Sequence, residues 1–310
     1  MTKKILITDC DFGDGSIERG VVGEFGYSLD IRQLHNEQEI IDAAQGSAGL
    51  LVQYAPISEL VISESPSLKA VVRYGVGLDT IDLDAAERAQ VAVRGINDYC
   101  IDEVADHCLA LLLALTRSIR ECDSAIKKGA WPPPHDFPAL EPLGGKTIGL
   151  IGFGQIARAV ARRLQAFGCR VCAHDPNVNS TVLDEHGVES VSFEEVLNSD
   201  VISLHVPAQP GSASLLSVRE FARVKPGAIL LNVSRGSLID EEALVTALDS
   251  GAIAAAGLDV FVQESGNASK LALHPRVVAT PHVAYYSPAS LIKLRRRAAE
   301  VLVAELEKVE

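Results

Sequence analysis

Short apolar runs alternate with amphipathic stretches along the whole chain. That alternation is the signature of parallel sheets built from βαβ units. In the first third, the segments 5–8, 28–32, 49–52, 68–72 and 91–93 predict strands. Among the stretches between them is "DLDAAERAQ" (82–90), a helix that Asp82 can cap. The pattern at 101–120, "IDEVADHCLALLLALTRSIR", predicts one long helix, with Asp and Glu in its first turn and Arg in its last to suit the dipole. The segment 131–145, "WPPPHDFPALEPLGG", holds five prolines and two glycines and predicts an irregular connection. A second series of strands follows at 147–153, 170–174, 201–206, 228–234, 254–260 and 277–280. Helices fall between these strands, one of them opening with the capping box Ser192 to Glu195. Two α/β domains, each a doubly wound parallel sheet, are the expectation.

Composition narrows the class. A chain of 310 residues can build two cores, and 47% apolar with 5% aromatic content fits an Ala/Val/Leu-rich α/β protein better than a β-sandwich. A net charge of −13 argues against a nucleic-acid or anionic-membrane surface. The run Arg295-Arg296-Arg297 reads as a solvated helix face. The apolar stretch at the start is too short for a signal peptide, and the longest apolar run, 108–115, is too short to cross a bilayer. A cytoplasmic location is therefore expected. Six cysteines suggest no disulfide framework. Cys169 and Cys172 have redox or zinc spacing but lie in what reads as a strand, with no second pair to complete a site.

The most specific stretch is "TIGLIGFGQIARAVARRLQAFGCRVCAHD" (147–175). An apolar strand leads into Gly152-x-Gly154-x-x-Ala157, a helix follows, and a second strand ends in Asp175. Gly152 permits the tight turn, Gly154 lets a pyrophosphate approach the backbone, and Ala157 lets helix and strand pack closely. Gln155 and Ile156 open the helix whose free amides face the phosphates. Asp175 is placed to accept hydrogen bonds from the adenosine ribose hydroxyls and to repel a 2′-phosphate. That selects NAD over NADP.

Ligands of open parallel sheets bind beyond the carboxyl ends of the strands. Three such ends carry reactive groups: Arg235 after "AILLNVS", Glu264 in the loop after Asp259, and His282 in "TPH". Taken singly they read as a surface arginine, a loop glutamate and a core histidine. Together, beside a dinucleotide turn, they form a set that chemistry can use.

The chain resembles the D-isomer-specific 2-hydroxyacid dehydrogenases in "RYGVGLDTID" (73–82), "EVADHCLALLLAL" (103–115), "GLIGFGQIA" (149–157), "LHVP" (204–207), "NVSRGSLID" (232–240), "GLDVF" (257–261) and "TPH" (280–282). The resemblance implies a Rossmann cofactor domain, residues 98–284, inserted into a flavodoxin-like substrate domain made of 1–97 and 285–310, with the active site in the cleft between them. It implies a homodimer through the cofactor domain. It also implies that Arg235, Glu264 and His282 are catalytic, acting on a small 2-oxo or 2-hydroxy acid. Val233, Ser234 and Asp259 would lie near the nicotinamide, and His205, Val206 and Pro207 would line the cofactor cleft, His205 as a wall. Arg73, Val76 and Gly77 would meet the substrate carboxylate. Chemical need agrees on roles: His282 as the acid, Glu264 favouring its charged form, and Arg235 as a fork for the carboxylate and carbonyl.

Two departures from the family pattern stand out. Ser265 replaces the usual proline after the catalytic glutamate. Tyr285 stands where the C-terminal binding protein branch carries a tryptophan, so Tyr285 and Tyr286 either shape the pocket or open the following helix. That branch also supplies a rival reading, an NAD(H)-sensing interaction protein. The acidic charge and lack of appended motif-binding segments favour a metabolic enzyme.

Overall fold

A computed structural model describes residues 3–137, 140–208 and 211–308. The chain divides into two compact units, Met1–Cys100 with Tyr286–Glu310, and Ile101–Tyr285.

In the first unit, β1 (Lys4–Ile7), β2 (Ser28–Ile31), β3 (Ser47–Val52), β4 (Ala70–Arg73) and β5 (Ala92–Gly95) form a parallel sheet in the order β2-β1-β3-β4-β5. This is the flavodoxin-like order. Helices cover both faces, so Ile5, Leu6, Ile7, Leu50, Leu51 and Val52 are all fully buried. That double burial is why the strands read as continuous apolar runs and do not alternate. Asp82 caps the helix Leu83–Arg88 as expected, accepting from the Ala85 amide. The C-terminal helix Pro288–Glu307 packs against β3 and β4. A Cβ at Gly49 would come within 2.9 Å of Leu302, so glycine lets that helix lie close.

In the second unit, β6 (Thr147–Ile151), β7 (Arg170–His174), β8 (Glu189–Ser190), β9 (Val201–Leu204), β10 (Ala228–Asn232), β11 (Ile253–Leu258) and β12 (Val277–Ala279) pair in the order β12-β11-β10-β9-β6-β7-β8, all parallel. The order reverses between β6 and β9, which makes their carboxyl ends a topological switch point. The helices Ile101–Thr116 and Gln155–Ala166 bury one face, and Phe193–Leu197 and Glu241–Ser250 the other. Both doubly wound sheets expected from the pattern are present.

Four strands end two residues earlier than the apolar pattern indicates: β6 at Ile151, β9 at Leu204, β10 at Asn232 and β11 at Leu258. Past each end the run still holds an apolar residue, Phe153, Val206, Val233 or Val260, which is why the pattern overshoots. The first residues past the ends, Gly152, His205, Val233 and Asp259, begin the loops of the switch-point edge. The two-residue β8 lacks an apolar pattern altogether; both residues are exposed, and only pairing with Cys172 and Ala173 defines it. The expected long helix at 101–120 ends at Thr116. Ser118 adopts a left-handed conformation, φ 47°, and a second helix, Ile119–Lys127, starts after it. Neither Gly nor Pro marks that break.

The capping box at Ser192 and Glu195 forms as expected. Cys169 and Cys172 are buried; their thiols approach the Leu143 and Ile148 carbonyl oxygens, and burial pushes both above the ordinary thiol range. Such thiols are poor nucleophiles. Among the described residues no group of His, Cys, Asp and Glu could hold a metal ion, and no helix is long and apolar enough to cross a membrane.

Candidate active site

The turn after β6 shows why its glycines are there. Gly152 has φ 92°, a left-handed conformation, and a Cβ on it would fall 2.5 Å from the His205 carbonyl oxygen. Glycine is therefore required both by backbone conformation and by the close approach of the loop after β9. Gly154 differs: a Cβ there would meet no protein atom within 4 Å. It sits as the N-cap of the twelve-residue helix Gln155–Ala166 with no side-chain cap. The open space lies at a helix N-terminus, which is what a dinucleotide pyrophosphate needs. Asp175, at the end of β7, accepts from the Phe153 amide at 2.8 Å and the Asn177 amide at 2.9 Å. It ties the glycine turn to the neighbouring strand end, and each carboxylate oxygen retains a lone pair for a ribose hydroxyl. These residues fit a bound NAD.

The loop after β9 lines the other side of the switch point. His205 Nε2 lies 2.9 Å from the Ser203 hydroxyl. Desolvation pushes its imidazole down to about 4, so it is neutral at physiological pH. A neutral ring suits a cleft wall.

Beyond β10, Arg235 stands on a turn built by Asn232. That side chain is fully buried, accepts from the Ser234 amide at 3.0 Å and donates to the Arg235 carbonyl at 2.8 Å. The Ser234 hydroxyl donates to the Leu204 carbonyl at 2.8 Å, and Arg235 Nη1 donates to the Ser234 carbonyl at 2.7 Å. Sequence reasoning included Asn232 only as part of a motif. Its role shows once the asparagine is seen to serve a donor and an acceptor on the same turn.

His282 Nδ1 and Glu264 Oε2 pair at 2.7 Å. Burial works to raise the Glu264 carboxyl, but the His282 hydrogen bond and charge, the Phe261 amide and the Arg235 charge together hold it below the usual carboxylate range. Glu264 is therefore an anion near neutral pH. With Nδ1 engaged, Nε2 of His282 is left to serve a substrate. Tyr285 lies edge-on to the His282 ring, centroids 6.0 Å apart and planes at 86°. The next helix begins at Pro288, capped by Ser287, so neither tyrosine opens it.

His282 itself has φ 52°, uncommon for a side-chain-bearing residue. Asp259 holds the strained turn. Its carbonyl accepts from the His282 amide at 2.8 Å, and its carboxylate accepts from the Val283 and Ala284 amides at 3.0 and 2.9 Å and from the Thr280 hydroxyl at 2.5 Å. With its single hydroxyl proton committed, Thr280 accepts from His107 Nε2 at 2.9 Å. The Asp259 carboxylate is almost fully buried. His107 and Thr280 were not singled out from the sequence; a helix residue meeting a strand end 173 positions away leaves no local signal.

The remaining candidates belong to the first unit. Arg73 donates to the Gln53 carbonyl at 3.1 Å and to the Gly77 carbonyl at 2.9 Å, so it joins the loops after β3 and β4. Val76, half exposed, lies on the second of these loops.

The chain is similar to known proteins over most of its length. The family model for the D-isomer specific 2-hydroxyacid dehydrogenase NAD binding domain matches residues 109–284. A D-3-phosphoglycerate dehydrogenase of Mycobacterium leprae is 38% identical over 283 residues, 90% of this chain and 52% of that protein. The chain thus spans about half the length of that relative. A glycerate dehydrogenase of Methylorubrum extorquens is 31% identical over 303 residues, 94% of this chain and 92% of that protein. Among solved structures, a D-lactate dehydrogenase from Aquifex aeolicus complexed with NAD and lactic acid superposes with a TM-score of 0.87 at 28% identity, covering 99% of this chain and 96% of that one.

Proposed function

We propose that this chain, which belongs to the D-isomer specific 2-hydroxyacid dehydrogenase family, interconverts a small 2-oxo acid and the corresponding D-2-hydroxy acid with NAD as its redox partner. The observation that carries the proposal is the His282–Glu264 pair at 2.7 Å, one loop away from Arg235 on the switch-point edge of a dinucleotide-binding sheet.

When bound, the reduced nicotinamide supplies the hydride that reaches C2 of the oxo acid. His282 holds a proton on Nε2 and gives it to the carbonyl oxygen as that oxygen becomes an alkoxide. Glu264, anionic and bonded to Nδ1, favours the charged imidazole before transfer and keeps the ring's orientation throughout. Arg235 presents a planar fork, with its Nη1 arm held by the Ser234 carbonyl, to grip the carboxylate and polarise the carbonyl. In the oxidative direction the same groups act in reverse, with neutral His282 taking the hydroxyl proton.

Asp175 sets the cofactor preference. A 2′-phosphate would bring two negative charges beside this carboxylate, so kcat/KM is expected to be higher with NADH than with NADPH. Asp175→Ala should narrow that ratio, although it also frees the Phe153 amide and lowers activity with both. Equal or better kcat/KM with NADPH in the unmodified protein contradicts the assignment.

Tyr285 bounds the substrate. A ring edge-on to His282 restricts the group attached to C2, so Tyr285→Ala should move the ranking of 2-oxo acids toward bulkier side chains. The change expected is about 1–3 kcal/mol of discrimination, or roughly 10–200-fold in relative kcat/KM. A panel of glyoxylate, pyruvate, hydroxypyruvate and phenylpyruvate, read as NADH oxidation by wild type and variant, tests both the reaction and this limit. No turnover of any member by the wild type counts against the reaction. An unchanged phenylpyruvate-to-glyoxylate ratio removes Tyr285 from the pocket.

A further inference from the structure

The segment that carries Glu264 leaves the sheet at Leu258 and has no ladder to hold it. Two contacts fasten it to the turn of Arg235 and the helix behind that turn. The first is steric. A Cβ on Gly236 would fall 2.0 Å from the Phe261 carbonyl carbon and 2.5 Å from the Val262 nitrogen, so backbone lies directly on backbone. The second is polar. Glu241, the first residue of the helix Glu241–Ser250, accepts from the Val262 amide through Oε1 at 2.9 Å.

The helix does not need Glu241 for its own capping, because Asp240 does that by accepting from the Ala243 amide at 3.1 Å. Val262 is 64% exposed, so burial of its side chain does not anchor the segment. What the bond supplies is placement, two residues before Glu264. Downstream, the loop has no stiff element of its own. Ser265 leaves φ unrestricted where a proline would fix it, and Gly266 follows at φ 82° with open space around most of its Cβ position.

We propose that Glu241 is a positioning residue, holding the Glu264 loop so that its carboxylate meets His282 Nδ1. This rests on reading Glu264 and His282 as the proton-transfer pair. Releasing Val262 lets the loop swing on Ser265 and Gly266, and the carboxylate leaves the imidazole. A Gln side chain at 241 keeps an acceptor oxygen for the Val262 amide; an Ala side chain does not.

The test compares Glu241→Ala, Glu241→Gln and Glu264→Gln in the full chain by two readouts. One is the His282 imidazole titration followed by NMR, assigned with a His282→Asn control. The other is kcat for NADH oxidation with the best 2-oxo acid. In Glu241→Ala the titration midpoint should move toward that of Glu264→Gln, and kcat should fall about 10- to 100-fold, the cost of a misplaced catalytic group. Glu241→Gln should restore both, with thermal stability nearly unchanged across the set. An unmoved midpoint with normal kcat in Glu241→Ala overturns the proposal, as does equal impairment of the Ala and Gln variants. The two readouts also separate this claim from the one beneath it. A shifted midpoint in a chain whose wild type reduces no 2-oxo acid supports the positioning and rejects the chemistry, whereas turnover with an unmoved midpoint rejects the positioning alone.

Discussion

His282→Ala is expected to lower kcat for 2-oxo acid reduction by roughly 10²–10⁴-fold, the usual contribution of a positioned general acid. Binding of NADH should change little, because the dinucleotide turn at Gly152 and Gly154 and the Asp175 carboxylate are separate elements of the sheet edge. The alanine keeps a Cβ at φ 52°, so the left-handed strain stays, and the Glu264 bond and the edge-on contact with the Tyr285 ring are lost. Glu264→Gln gives the companion result. Reduction needs His282 protonated, so its rate falls as pH rises through that titration. An anion beside the ring favours the proton, and an amide does not. The falling limb of the reductive kcat/KM profile should therefore lie at lower pH in Glu264→Gln than in wild type. Glu264 is held below the ordinary carboxylate range and stays ionised across neutral pH. Near-normal turnover in His282→Ala would assign the proton to another group. A limb shifted to higher pH in Glu264→Gln would reverse the role given to the carboxylate.

The second large effect is structural and lies in the first unit. Glu18 is completely buried and receives two hydrogen bonds from Arg295, Nε at 2.9 Å and Nη2 at 2.7 Å, and one from the Tyr74 hydroxyl at 3.0 Å. Arg295 also donates to the Phe12 carbonyl at 3.1 Å. The expectation of a solvated arginine run thus fails at its first member: Arg295 is 7% exposed. In a run of three arginines on a helix the 3.6-residue period turns one inward, and only a buried acid distant in sequence decides which. Glu18→Ala removes both hydrogen-bonded oxygens from that buried guanidinium, leaving the exposed Asp14 carboxylate 3.8 Å away, and should cost about 3–5 kcal/mol, a large share of the roughly 5–15 kcal/mol that holds a domain folded. Replacing both partners by apolar residues of similar volume, Glu18→Leu with Arg295→Met, should cost much less, because no uncompensated charge remains. Urea denaturation followed by circular dichroism checks this through the transition that the first unit contributes. A midpoint for Glu18→Ala at or above that of the double variant would mean that the pair carries little weight.

The parts of the site that were legible in the sequence are the ones whose cause is local. Gly152 and Gly154 announce themselves because a strand, a tight turn and a helix must follow one another within a few residues. Asp175 is found by counting to the end of the next strand. Arg235, Glu264 and His282 are found because parallel sheets put their chemistry at strand ends. The supporting groups were not legible. Asn232 serves two backbone groups of its own turn, Gly236 and Glu241 act on the backbone of a segment more than 20 positions ahead, and His107 reaches Thr280 across most of the unit. A backbone partner leaves no mark on the sequence of the segment that receives it. Asp259 shows what resemblance leaves out: it suggests a place near the nicotinamide, whereas the three donors of the His282 turn that its carboxylate accepts from are seen only in the structure.

The most direct test of the account is the configuration of the product. The unmodified protein is incubated with NADH deuterated at the transferable C4 position and with the 2-oxo acid it reduces fastest, and the hydroxy acid is resolved by chiral chromatography with mass detection. The account predicts a D-2-hydroxy acid carrying one deuterium at C2, formed in step with NADH oxidation. An L or racemic product, or an unlabelled C2, would contradict it.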